Sequence, residues 1–213
     1  MLCNNNHFGE LEMLRNIFNP DNTVFRFCGR LADVLMLSLL WLLCCIPIIT
    51  IGTATAALYN STVKYFRGSE TSPYILFRDN MKSNFKDGIP VSILMIAVLF
   101  LFTFELTALW NGALNGSKTS FVFLIALVIC SFVPLSFLSW LTSIFSRYVF
   151  TFSQLVITAF KFVFAHLLSS IILGLLIAAS IYLCYLFVFP LTFLPCMVAF
   201  LSSFLIEKAF LKH

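Results

Sequence analysis

From Phe121 to Phe145 the chain runs for 25 residues without a single charged side chain. A helix needs about 20 residues to cross a hydrocarbon core roughly 30 Å thick, so this one stretch already points to a membrane. Residues 89–110 form a second run, interrupted only by Glu105, and residues 163–187 a third. These runs are continuous and do not alternate apolar with polar residues, which excludes a transmembrane barrel. Inside lipid every backbone N–H and C=O must find its partner within the segment, and helices do that. The rest of the composition agrees, with 61% hydrophobic and 10% charged residues in a 213-residue chain of mean hydropathy +1.00. A soluble domain is closer to half apolar and a quarter charged. The expected fold is therefore an all-α, polytopic transmembrane bundle. The net charge of +4 is expected to report topology and contact with anionic lipid head groups, not nucleic acid.

Six membrane segments are expected, near 31–47, 52–66, 89–110, 121–145, 163–187 and 190–206. Residues 1–30 form a cytoplasmic interfacial segment and 31–213 a single membrane domain. The stretch 31–66 is the difficult one, because Pro47 and Gly52 break it and leave two short halves. Charge decides between one kinked span and a two-span hairpin. With a hairpin, 12 of the 13 basic residues fall on one face and only Lys118 on the other. With a single span they divide six against seven. Basic residues favour the cytoplasmic side, so the hairpin is preferred, with both termini cytoplasmic. Three further stretches, 8–18, 74–86 and 151–161, space apolar residues as helices lying in the head-group plane do. The last two share Phe77…Phe85-Lys86 and Phe152…Phe160-Lys161, each ahead of a span. That repetition is consistent with an internal duplication.

The N-terminal third carries AsnProAspAsn at 19–22, GlyArgLeuAlaAsp at 29–33, ProIleIleThrIleGly at 47–52 and LysTyrPheArgGly at 64–68. With PheArg at 77–78 and AsnPheLys at 84–86, this region resembles the YesL-like family of bacterial membrane proteins of unknown function. The resemblance is dense over 19–90. Beyond it only SerArg at 146–147, the Phe/Lys pattern near 152–161 and the hydropathy agree. It implies a small polytopic protein of the bacterial inner membrane, with an accessory part in carbohydrate acquisition beside ABC-type transporters. It brings no catalytic residues.

Several residues are candidates for function. Arg30 and Asp33 are three apart on a helix, the spacing of a local ion pair at the interface. Pro47 removes a helix hydrogen bond, and Thr50, Thr53 and Thr55 can satisfy the backbone groups it frees. Gly52 and Ala56 give the small-xxx-small spacing of tight helix packing. Broken helices also form solute sites in transporters, although the hairpin topology puts this turn toward the outer face. Glu105, read as the carboxylate within the long spans, is the candidate intramembrane polar site. Lys64, Arg67, Arg78, Lys82 and Lys86 make a cytoplasmic basic surface for anionic lipid or a docking partner.

Other signals are weak. Seven cysteines carry no CxxC pair, His166 has no second ligand nearby, and no metal site or cofactor is expected. There is no phosphate-cradling glycine loop, HExxH or GxSxG. The expectation is a non-enzymatic membrane protein, an accessory or partner of transporter subunits for carbohydrate uptake. The rival is a self-sufficient transporter or channel whose polar path uses Glu105 and the Pro47–Gly52 break.

Overall fold

The computed structural model describes residues 23–68, 71–116, 118–187 and 189–210. Among them every regular element is helical. These are α1 (Thr23–Cys45), α2 (Ile51–Phe66), α3 (Pro73–Ser83), α4 (Phe85–Leu114), α5 (Lys118–Cys130), α6 (Phe132–Phe145), α7 (Phe152–Ala165), α8 (Leu167–Leu186) and α9 (Leu194–Phe210), with short 3-10 turns at Ile48–Thr50 and Phe189–Thr192. Among the described residues four stretches are long and apolar enough to cross a membrane: Cys28–Cys45, Phe85–Leu114, Lys118–Phe145 and Leu167–Leu186. The chain is a helical membrane bundle. The expected segments at 52–66 and 190–206 correspond to α2 and α9, which have 16 and 17 residues.

Prolines set the main breaks. Pro47 ends α1, and Leu43 O, which Pro47 cannot serve, accepts instead from the Ile46 N–H. Thr50 Oγ1 then donates to Pro47 O at 2.6 Å and also to Cys44 O. Pro134 sits in the first turn of α6, and its ring cannot follow a helical Cys130, so the run 121–145 divides at Ser131. Ser131 Oγ donates to Val128 O at 2.6 Å and closes that break. Pro90 lies in the second turn of α4, which continues through it.

The axis of the bundle is α2. Gly52, Thr53, Ala54 and the run Ala56–Val63 are all buried. Its sequence of Gly, Ala, Ser, Thr and Asn is what a helix enclosed on all sides requires, because small side chains let neighbours approach. One apolar cluster joins Tyr59 and Val63 to Val91, Trp140, Leu141, Leu155, Leu173 and Ile206. A second joins Ala54, Ala57 and Leu58 to Val34, Leu37, Phe77 and Cys196. The outer faces are apolar too: Met36, Leu43, Phe100, Phe104, Leu168 and Tyr185 are all exposed, as lipid-facing side chains must be.

Two expectations change. The stretches 74–86 and 151–161 both pack one face on the bundle. In α3, Phe77 is buried in the second cluster, while Tyr74 stays exposed. In α7, Leu155, Ala159 and Val163 face α6 while Phe160 and Phe164 point outward, leaving both faces apolar. A Thr151–Gln154 capping box starts α7, which runs on to Ala165. The next span therefore begins at Leu167, not at 163. The proposed repeat also loses its register: Phe85-Lys86 opens the long α4, whereas Phe160-Lys161 lies inside α7. What does recur is the order of short helix, one-residue break and long helix, at Asn84 and again at His166. The stretch 8–18 lies outside the described residues.

Candidate functional site

Three return helices bring charge to one place. Arg67 follows the last residue of α2, Arg147 lies just past α6, and Glu207 sits near the end of α9. Arg67 and Arg147 each place Nη2 on a different carboxylate oxygen of Glu207, Oε2 and Oε1 respectively. The Glu207 side chain is 6% exposed, against 59% for Arg67 and 27% for Arg147. A carboxylate this buried costs several kcal/mol unless paired, and here two guanidiniums meet that demand. The Arg147 guanidinium also lies 5.9 Å from the centre of the Tyr59 ring, within cation–π range.

Beside this cluster is a polar cavity of about 620 Å³ between α2, α3 and the end of α6. From α2 it receives Asn60, Lys64 and, just beyond, Arg67; Ser146 and Arg147 close the side by α6. Asn60 Nδ2 donates to Ser146 O at 2.6 Å, which ties the two helices. Its Oδ1 is buried without a hydrogen-bond partner. The third wall is Asn80, Ser83 and Asn84. Asn80 Nδ2 is spent on Leu76 O at 2.7 Å and Ser83 Oγ on Asn80 O at 3.1 Å. The cavity thus presents three cations, amide groups and hydroxyls. Among the described residues no three His, Cys, Asp or Glu side chains gather as a metal would require.

The Pro47–Gly52 break is a packing device. Gly52 N–H, one of the free donors of the first turn of α2, donates to Ser92 Oγ at 2.9 Å. Ser92 Oγ in turn donates to Gly88 O at 2.9 Å. A Cβ on Gly52 would stand 2.8 Å from Ser92 N, and one on Gly88 2.0 Å from Thr53 Oγ1. Ala56, one turn on, is buried. Of the three threonines, Thr50 bonds the freed carbonyls and Thr55 donates to Ile51 O while accepting from Trp41 Nε1. Thr53 Oγ1 is buried with no partner.

The other expected sites do not assemble. Glu105 is exposed on α4, and the Gly52 contact at Ser92 is 13 residues away, about 20 Å along the helix. Glu105 and the break do not share a polar path. The expected Arg30–Asp33 ion pair is replaced: Asp33 accepts from the Tyr65 hydroxyl of α2, and Arg30 stays exposed. The hairpin of α1 and α2 brings Tyr65 to Asp33. The five basic residues are all exposed, but they divide. Lys64 and Arg67 line the cavity, whereas Arg78 and Lys82 fall on roughly the opposite side of α3 from Asn80. Arg78 pairs with Asp79 at 3.3 Å.

Glu207, Asn60 and Ser92 escape a reading of the sequence. The apolar window 190–206 stops one residue before Glu207, and a neighbouring Lys208 makes it look like a solvated end. The available signal is positional: the return helices of three successive hairpins finish near Arg67, Arg147 and Glu207.

Residues 34–106 match a family described as a protein of unknown function, DUF624. No curated protein and no solved structure matches the chain. The matched region contains Asn60, Lys64, Arg67, Asn80, Asn84 and the Gly52–Ser92 contact, while Ser146, Arg147 and Glu207 lie outside it.

Proposed function

We propose that this chain is a non-enzymatic, multi-pass protein of a bacterial inner membrane that acts as an accessory partner in ABC-type carbohydrate uptake. The carrying observation is that Lys64, Arg67, Arg78, Lys82 and Lys86 all stand exposed around the junction of α2, α3 and α4. The N-terminal resemblance to YesL-like proteins supports the same reading; the family matched at residues 34–106 is itself of unknown function. The bias of basic residues argues for cytoplasmic termini, an orientation in which this basic region would face an ATPase or anionic lipid. A self-sufficient transporter using Glu105 and the Pro47–Gly52 break draws less support, because Glu105 faces outward and away from the break. The test is co-purification of the tagged protein from its native host in mild detergent, with mass spectrometry of what accompanies it. Stoichiometric recovery of a transporter permease or ATPase is expected. Recovery alone, or only as a homo-oligomer, contradicts the proposal.

A further inference from the structure

The polar cavity carries demands that the protein itself does not meet. Lys64, Arg67 and Arg147 face it, and Glu207 is the carboxylate paired there. Three cations against one carboxylate leave an excess of two positive charges. A phosphate group carries about −1.5 to −2 near neutral pH and is what Lys and Arg clusters hold well. An anion alone is not enough, however. Asn60 is 9% exposed, its Nδ2 is committed to Ser146 O, and its Oδ1 has no partner. A buried carbonyl oxygen left unmatched is costly, and only a donor satisfies it. Inorganic phosphate carries its O–H on the same phosphorus that faces the cations, whereas a polyol phosphate carries hydroxyls set apart from that centre. The remaining wall, Ser83, Asn80 and Asn84, is of the kind that reads hydroxyls. The volume, about 620 Å³, falls within the range of small-ligand sites.

We propose that this cavity binds a phosphorylated polyol. The phosphate lies against Lys64, Arg67 and Arg147, and a ligand hydroxyl donates to Asn60 Oδ1. Two sources carry that chemistry: the glycerophosphate head group of an anionic lipid, and a free glycerol or sugar phosphate. A lipid would reach the site past Tyr148, Val149 and Phe150, which follow Arg147 and are all exposed. The site stands on the cavity alone and does not depend on the accessory-partner reading.

The test uses the full chain in two arms. In detergent, calorimetry compares glycerol 3-phosphate, inorganic phosphate and glycerol. In nanodiscs of mixed phosphatidylglycerol and phosphatidylcholine, native mass spectrometry reads which lipid stays bound. Glycerol 3-phosphate is expected to bind about tenfold more tightly than inorganic phosphate, or phosphatidylglycerol to be retained over phosphatidylcholine. In whichever arm binds, Lys64→Gln should weaken it about tenfold with an unchanged melting temperature, since Lys64 is exposed. Binding in the first arm identifies a soluble ligand as sufficient; binding in the second alone identifies lipid. Binding in neither arm overturns the proposal. So does inorganic phosphate matching glycerol 3-phosphate where the soluble arm binds, or Lys64→Gln behaving as the parent throughout.

Discussion

The backbone N–H of Gly52 donates to Ser92 Oγ across 2.9 Å, and that bond fastens the first turn of α2 to the first third of α4. Because Ser92 backbone atoms stand 2.8–3.0 Å from where a Cβ would be, Gly52→Ala forces main chain apart. The expected loss is about 1–3 kcal/mol, the range for overpacking. Gly29→Ala is the matched control, since nothing lies within 4 Å of its added Cβ. Thermal melting in detergent should show a lower midpoint for Gly52→Ala and none of that loss for Gly29→Ala.

Glu207 answers two guanidiniums, so Glu207→Gln leaves both without their charge partner. Breaking a fully buried pair costs about 3–5 kcal/mol. Arg67 and Arg147 reach solvent, so a smaller loss is expected, on the order of 2 kcal/mol. Replacing Arg147 and Glu207 together by Met removes the Arg147 charge along with the carboxylate and should recover part of the loss. A double-mutant cycle on melting free energies reads the coupling directly.

Trp140 is fully buried, and its Nε1 donates to Ser170 Oγ at 3.1 Å. Trp140→Phe keeps most of the volume and strands the hydroxyl's acceptor role, with an expected cost of about 1 kcal/mol. Trp140→Ala opens a cavity between α6, α7 and α8 and should cost about 3–5 kcal/mol. Equal melting of the two variants would show that Trp140 is not part of a close-packed core.

Glu105→Gln should change little. The side chain is exposed and the residue is remote from the cavity, so the expected stability change is within about 0.5 kcal/mol. Liposome flux assays on parent and variant are expected to be indistinguishable. A substrate flux that vanishes in the variant would return Glu105 to the centre of the function.

The bundle was legible in the sequence because hydrocarbon leaves few solutions: long uncharged runs and the break at Pro47 mark the main helices, whereas the division of 121–145 at Ser131, ahead of Pro134, is hidden within an uncharged run. The Gly52 and Ala56 spacing announced close packing and the structure supplies its partner, Ser92, which no periodicity identifies. Sites made by side chains from separate helices were harder to see. Asn60 and Ser146 are 86 residues apart, and Arg67 meets Glu207 only because α2 and α9 end together. The Arg30–Asp33 spacing misled for the same reason, since a local rule cannot know that Tyr65 arrives from the next helix.

The central question is whether the exposed basic region, and not Glu105, is the working part of this protein. Quantitative mass spectrometry of co-purified partners decides it, run on the parent, Glu105→Gln and the combined Arg78→Gln, Lys82→Gln variant. Arg78 and Lys82 are exposed and lie away from the Glu207 cluster, so the fold should survive their loss. Parent and Glu105→Gln should recover a transporter subunit equally, and the α3 variant should lose most of it. Loss with Glu105→Gln and retention with the α3 variant would contradict this assignment outright.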